Sequence, residues 1–307
     1  MTTQLPEFIK FIQRGWVNAN MIVVLGEGGP VVVDTGDFRY VDETLQLIEA
    51  EGVDLAEIQL IVNTHCHWDH FGANEAIRKL SGAPLATSAK TAVIFEKPDR
   101  KAMWLDYFGI DVAPQTVDIR WQDGDVVSLA GVPFQVIATP GHAPDGIALF
   151  QPETRLLISA DALHENDCGI LNTAVHGESV LDDALTTLAR LRELDAQIAL
   201  PGHGNIITDV PANLDALERR LHRFKDDPVQ MALHLLRRVM MAGLLMNQPL
   251  PRDAMLDFCL KRPWPYDYAP RVGADDPEKL LNCLLDEFIE RSLVSETDAG
   301  LTSFVPI

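Results

Sequence analysis

The stretch Thr64-His65-Cys66-His67-Trp68-Asp69-His70 follows the apolar run Leu60–Val62 and precedes Phe71–Leu80, a segment with helical spacing that Ser81-Gly82 stops. The motif therefore lies at the end of a strand, just before a helix. Side chains two apart on extended backbone point the same way, so His65 and His67 can face one ion together. Asp69 and His70 lie on the turn beyond and can face a second. Imidazole and carboxylate are ordinary ligands for zinc and similar ions. Cys66 alternates with two ligands and is expected to point away into packing, and Trp68 is read as a loop-packing aromatic.

Three further ligand-type side chains stand at strand ends. Thr139-Pro140-Gly141-His142 follows the run Val132–Ala138, Ser159-Ala160-Asp161 ends Leu156–Ser159, and Pro201-Gly202-His203-Gly204 follows Ile198–Leu200. Met21–Leu25 and Val31–Val33 flank GEGGP, and Val126–Leu129 and Val132–Ala138 flank Ala130-Gly131, both hairpin signals. Ile147–Phe150 is another strand, while Val41–Ala50 and Leu181–Leu194 have helical periodicity. The first two-thirds is thus an α/β unit. From Pro211 the pattern becomes helical, with Leu214, Leu217, Leu221 and Phe224, then Val229–Met246, then Leu280–Ile289. A polar turn at Asp298-Ala299-Gly300 closes a small hairpin, which resembles a winged helix.

With 307 residues, the chain can bury a large core. Its net charge is −20, and residues 1–200 alone hold 13 Lys/Arg against 29 Asp/Glu. A nucleic-acid partner is not expected, because phosphate binding needs a basic surface. The four cysteines form no CxxC pair. The N-terminal residues lack a basic stretch followed by an apolar one, and the longest apolar run, around Val239–Met246, is short for a bilayer. These features predict a cytoplasmic protein with free thiols and no membrane partner.

The set HxHxDH followed by a distant His, Asp and His resembles the metallo-β-lactamase superfamily over roughly residues 15–208. The resemblance implies an αββα sandwich over residues 1–208, with a helical extension, residues 209–307, that caps the site or mediates homodimer formation. It implies that His65, His67 and His142 bind one metal, that Asp69, His70 and His203 bind a second, and that Asp161 bridges them. Asp34, in Val-Asp-Thr-Gly, matches a carboxylate that braces the motif loop. His164, three residues after Asp161, falls near the place of a substrate-binding Tyr in similar lactonases. It either hydrogen-bonds the substrate carbonyl as that Tyr does, protonates the leaving group, or is a hydrogen-bonded loop residue beside the site. His222 and His234, on helices of the C-terminal part, are read as packing or solvent-facing, and His176 as a loop residue with no assigned role. Arg262–Tyr268, rich in Pro and aromatics, is read as a rigid loop over the core, with a pocket wall as the other reading.

The implied chemistry is hydrolysis of a small-molecule carboxylic ester, thioester or lactone by metal-bound hydroxide, with Asp69 or Asp161 relaying the proton. Two divalent ions are expected, zinc first, with manganese, iron or cobalt as alternatives. Zinc β-lactamases lack the bridging carboxylate that Asp161 supplies. Diiron oxygen-reducing relatives carry Glu where His67 stands. Glyoxalase-II-like thioesterases share TPGH and PGHG, but their basic C-terminal patch is not apparent. The alternatives are a one-iron persulfide dioxygenase, an endoribonuclease of the same fold, and a non-catalytic ligand sensor.

Overall fold

The apolar runs around the histidine motif form strands with both faces buried. The computed structural model describes residues 5–305. In the first sheet, β1 (Ile9–Ile12), β2 (Met21–Val24), β3 (Val31–Val33), β4 (Leu60–Val62), β5 (Leu85–Ser88) and β6 (Ile119–Trp121) lie in chain order. The first three are antiparallel and the pairs from β3 to β6 are parallel. The second sheet holds β7 (Val126–Leu129), β8 (Val132–Ala138), β9 (Ile147–Gln151), β10 (Leu156–Ala160) and β11 (Ile198–Pro201), in the order β11-β10-β9-β8-β7. Only β10 and β11 are parallel within it.

Strand alternation then builds the layers. Ile22, Val24, Val31, Val33 and Val62 face Phe134, Val136, Leu149, Ile158 and Leu200 in a core between the sheets. Their neighbours Met21, Val23, Val32 and Ile61 face outward, against α1 (Val41–Ala50), α2 (Asn74–Ser81) and α3 (Ala89–Glu96). On the other side Ile137, Ala148, Phe150 and Leu157 pack on α6 (Val180–Glu193) and α7 (Val210–Asp226). The result is the αββα sandwich of the metallo-β-lactamase fold. Each buried aliphatic side chain in these layers contributes roughly 1.5–3 kcal/mol.

Short helices α4 (Leu105–Phe108) and α5 (Thr173–His176) lie in the connections. Beyond α7 come α8 (Pro228–Asn247), α9 (Arg252–Leu260), α10 (Trp264–Tyr268) and α11 (Pro277–Glu290), then the hairpin β12 (Val294–Thr297) and β13 (Gly300–Ser303). Asp209, Asp227 and Asp276 cap α7, α8 and α11, each with Pro in the first turn. The helices share the core outside the first sheet: Leu236, Val239, Met255, Leu285 and Phe288 join one cluster with Trp68, Phe71, Trp104 and Phe108. By length and composition α8 could cross a membrane, but most of it is buried within the molecule.

Two expectations shift. The helix after the motif starts at Asn74, not Phe71. Gly72 and Ala73 donate their N–H groups to Gly36 and Thr35 carbonyls, and Gly72 is pressed on the Asp37–Phe38 backbone, where a Cβ would lie 2.0 Å from Phe38 N. Residues 264–268 form the helix α10, with Trp264 and Tyr268 buried. That segment borders a separate cavity beside Tyr107.

Candidate metal centre

All the ligand-type side chains singled out in the sequence collect where loops leave the strand ends. His65 follows β4, His142 follows β8, Asp161 follows β10 and His203 follows β11. His65 Nε2 lies 3.0 Å from His67 Nδ1, which lies 2.8 Å from His142 Nε2. A second group gathers beside it. His203 Nε2 is 3.2 Å from Asp69 Oδ2, and His70 Nε2 is 3.9 Å from that oxygen. Asp161 stands between the groups, with Oδ2 3.3 Å from His142 Nε2 and Oδ1 3.5 Å from His70 Nε2. The groups His65–His67–His142, His65–His70–Asp161 and Asp69–His70–His203 are each compact enough to hold one ion.

The surrounding hydrogen bonds fix which ring nitrogens are bare. His142 Nδ1 donates to the Ile170 carbonyl at 2.8 Å, so its neutral ring presents a lone pair at Nε2. The Thr64 hydroxyl donates to Asp34 Oδ2 and so accepts from His65 Nδ1, which leaves His65 Nε2 bare as well. His67 Nδ1 lies within 3.0 Å of both. One ring proton could serve both acceptors only as a shared, weakened bond, whereas a cation can serve all three nitrogens. Ligands at metal–nitrogen distances of about 2.0–2.1 Å in a tetrahedral site stand about 3.3 Å apart, close to these spacings. His70 Nε2 and Asp161 Oδ1 are buried with no hydrogen-bond partner. Such orphaned atoms are costly unless something binds them.

The charge states agree with ligation. Burial and the neighbouring imidazoles hold His65 and His67 well below the usual histidine range, and burial brings His142 down to about 4. Burial pushes Asp161 up, but His203, His164 and His70 outweigh it and hold the carboxyl well below its ordinary value. Asp69 is lowered too, by His70 and His203 against its burial. His70 is the exception: burial lowers it, yet Asp34, Asp161 and Asp69 raise it to about 10. The carboxylates around His70 call for positive charge at that point.

Bracing comes from residues spread through the fold. Asp34 sits in left-handed backbone (φ 54°) and accepts from Thr64 N, Thr64 Oγ1 and His70 Nδ1 at 2.7–2.9 Å. Ala160, before Asp161, is also left-handed (φ 46°). Two glycines leave room for ligands: a Cβ on Gly202 would meet Asp161 Oδ1 at 2.1 Å, and one on Gly169 would meet the His142 ring at 2.3 Å. Asn20, fully buried, donates to the Pro201 and Gly204 carbonyls at 3.0 Å and so holds the His203 loop. The Asn18/Asn20 pair among apolar residues was a readable signal for that role. Trp16, Trp104 and Arg238, which line the cleft over the ligand atoms, carry no motif.

The other sequence candidates divide. His164 joins the centre: it is buried, with Nε2 3.2 Å from Asp161 Oδ1. Cys66 points away, toward Asp145 Oδ1 at 3.5 Å. Trp68 packs edge-on against Phe108 and also lines the cleft. His176 accepts from the Trp104 indole at 3.3 Å, His234 stacks on Phe224 on the helical side, and His222 is exposed.

Comparison with known proteins agrees with this architecture. The chain is 28% identical over 205 residues to a Caenorhabditis elegans "Beta-lactamase-like protein 2 homolog", covering 66% of this chain and 62% of that one. It is 33% identical over 171 residues to a Pseudomonas putida hydroxyacylglutathione hydrolase, covering 55% and 54%. The chain thus spans between half and two-thirds of the length of these two relatives. A crystal structure of a metallo-beta-lactamase family protein from Thermus thermophilus superposes with a TM-score of 0.60 at 22% identity, covering 97% of this chain and 98% of that one. The subclass B3 metallo-beta-lactamase BJP-1 of Bradyrhizobium japonicum shares the fold, with a TM-score of 0.59 at 20% identity over 76% and 95%. The sequence profile of the metallo-beta-lactamase superfamily matches residues 14–203, a span that runs from before β2 to His203 and takes in every ligand-type residue above, and the chain belongs to that superfamily.

Proposed function

We propose that this protein is a dinuclear metal-dependent hydrolase of a small-molecule carboxylic ester, thioester or lactone. The observation that carries the reading is Asp161, whose two oxygens reach both ligand groups, at 3.3 Å from His142 Nε2 and 3.5 Å from His70 Nε2. His65, His67 and His142 would hold one ion, Asp69, His70 and His203 the other, and Asp161 both. Zinc suits this set of nitrogen and oxygen ligands, and manganese, iron or cobalt are the alternatives. Bound there, divalent ions supply a water activated at neutral pH and polarise the substrate carbonyl.

The residues of the chain do the rest. Asp34 keeps the His70 Nδ1 proton in place, so that Nε2 faces the centre. Asp69 or Asp161, both held ionised by the surrounding imidazoles, relays the proton that leaves the attacking water. His164, whose Nε2 lies 3.2 Å from Asp161 Oδ1, receives that proton from the carboxylate and passes it to the leaving group. Trp68 and Trp104 exclude water from one side of the cleft. Residues 209–307 cap the site in this reading, because Arg238 and Ala242 of α8 complete the wall. Similarity to hydroxyacylglutathione hydrolases makes a thioester the first bond to try.

The test is elemental analysis of protein purified without added metal, alongside a panel of aryl esters, thioesters and lactones. About two ions per chain, with hydrolysis lost on chelation and in His67→Ala, is the expected result. One iron per chain and no hydrolysis would overturn the proposal and favour a one-iron oxidative enzyme.

A further inference from the structure

The cleft over the ligand atoms is built from two unlike materials. One part is aromatic. Trp68 and Phe108 pack edge to face with centroids 5.4 Å apart, and the Trp104 ring lies 4.6 Å from that of His67. All three side chains are at most 6% exposed, and the Trp104 indole is fixed by its bond to His176. This buried, interlocked wall stands directly beside the ligands, so it favours an apolar group that is ring-sized or branched.

The other part is a single cation. Arg238 is the one Lys or Arg among the described residues that line the cleft. Its guanidinium lies 5.6 Å from the Trp16 ring centroid and donates through Nη1 to the Cys168 carbonyl at 2.8 Å. The carboxylate near it does not neutralise it. Asp167 Oδ2 is 3.6 Å from Arg238 but 2.7 Å from Arg220, with His234 at 3.7 Å. Two guanidiniums share one carboxylate, so positive charge is left over at the cleft. The chain as a whole carries −20, and Asp69 and Asp161 line the same cleft. A positive charge kept in such surroundings, on a side chain only 17% exposed, is suited to an anion that the rest of the cleft would repel. The planar fork of arginine matches a carboxylate best.

We infer that the substrate carries both features: a bulky apolar group that packs on Trp68, Trp104 and Phe108, and a carboxylate that pairs with Arg238. This names the substrate class within the hydrolase reading and rests on it for the bond cleaved, although the recognition itself needs no turnover. The C-terminal helix α8 is then the specificity element of a site whose ligand-type residues all come from elsewhere.

The experiment is calorimetric binding of 3-phenylpropanoate and 3-phenylpropanamide to the metal-loaded protein, in wild type and in Arg238→Met. The carboxylate is expected to bind about tenfold or more tightly than the amide. That advantage disappears in Arg238→Met while amide affinity holds, and Trp104→Ala weakens both ligands. Equal binding of the two probes to wild type overturns the inference. So does an advantage that persists in Arg238→Met, which would place the anion on the metal ions. Arg238→Gln, which keeps a donor for the Cys168 carbonyl, replaces the Met variant if that one does not fold. Hydrolysis of the panel with no carboxylate preference would sink the inference and leave the hydrolase standing. The preference without any hydrolysis would do the reverse.

Discussion

The strand-end loops and the C-terminal helices are built on opposite principles. The loops spend conformational freedom on accuracy: Asp34 and Ala160 sit in left-handed backbone, and Gly169 and Gly202 let a ring and a carboxylate approach within contact. Non-glycine residues in that region cost of order 1 kcal/mol or more and persist only where neighbours over-determine them. The helices α7, α8 and α11 contain no left-handed residue, and the one close glycine in them, Gly243 of α8, is pressed only on the Phe258 ring. They are amphipathic, capped by Asp and held by burial of Leu236, Leu285, Phe288 and their neighbours. Chemistry should therefore be sensitive to single atoms in the loops, and stability to volume in the helices.

The sharpest way to break that contrast is His164→Ala. It should lower kcat by about 10²-fold or more for substrates with poor leaving groups, as loss of a general acid does. The loss should be much smaller for aryl esters, and the thermal midpoint should hardly move. Equal losses for both kinds of ester would make His164 a positioning residue instead. Next is Gly202→Ala, whose new Cβ would displace Asp161 or His70. Metal affinity is expected to fall by about 10–100-fold, the usual cost of disturbing a ligand's support. Equilibrium dialysis would measure it, with far-UV circular dichroism unchanged.

On the helical side, Leu236→Ala should cost about 2–5 kcal/mol of stability by denaturant unfolding. Metal content per folded chain should stay as in wild type, and a fall in it would mean that the helices position ligands after all. The smallest effect concerns His234, which faces Asp167 and Arg238, with Arg220 and Arg237 close by. Burial, helped by Arg238 and opposed by Asp167, brings its pKa down to about 4. The unfolded chain therefore binds a proton there below about pH 6.5 while the folded chain does not until about pH 4. Stability is lost as pH falls through that window, and His234→Gln should make the slope shallower in melts between pH 4 and 7.

Legibility followed the same divide. The ligand-type residues could be read because a metal demands particular side chains, and four of them lie within six positions. His142, Asp161 and His203 could be read because each ends an apolar run in a Pro-Gly or Ser-Ala turn. Strands β1, β5 and β6 escaped notice, being three or four residues long with no turn signal to frame them. Trp16, Trp104 and Arg238 were invisible for another reason. Nothing in their local sequence distinguishes a cleft wall from any other buried aromatic or half-buried arginine, and only packing of α8 beside the motif loop brings them together. In the C-terminal part apolar spacing marked α7, α8 and α11, whereas their starts at Asp-capped, Pro-containing first turns were not read from the sequence.

The spread of the ligand-type residues along the chain also sets a timetable. The three-histidine group is complete in sequence once β8 and the loop after it have been made, whereas Asp161 and His203 wait for β10 and β11. Vectorial synthesis from the N-terminus therefore offers the first group before the second exists. On the dinuclear reading, the position at Asp69, His70 and His203 can close only after the second sheet has formed, and even the three-histidine group waits for Ile170, whose carbonyl orients His142.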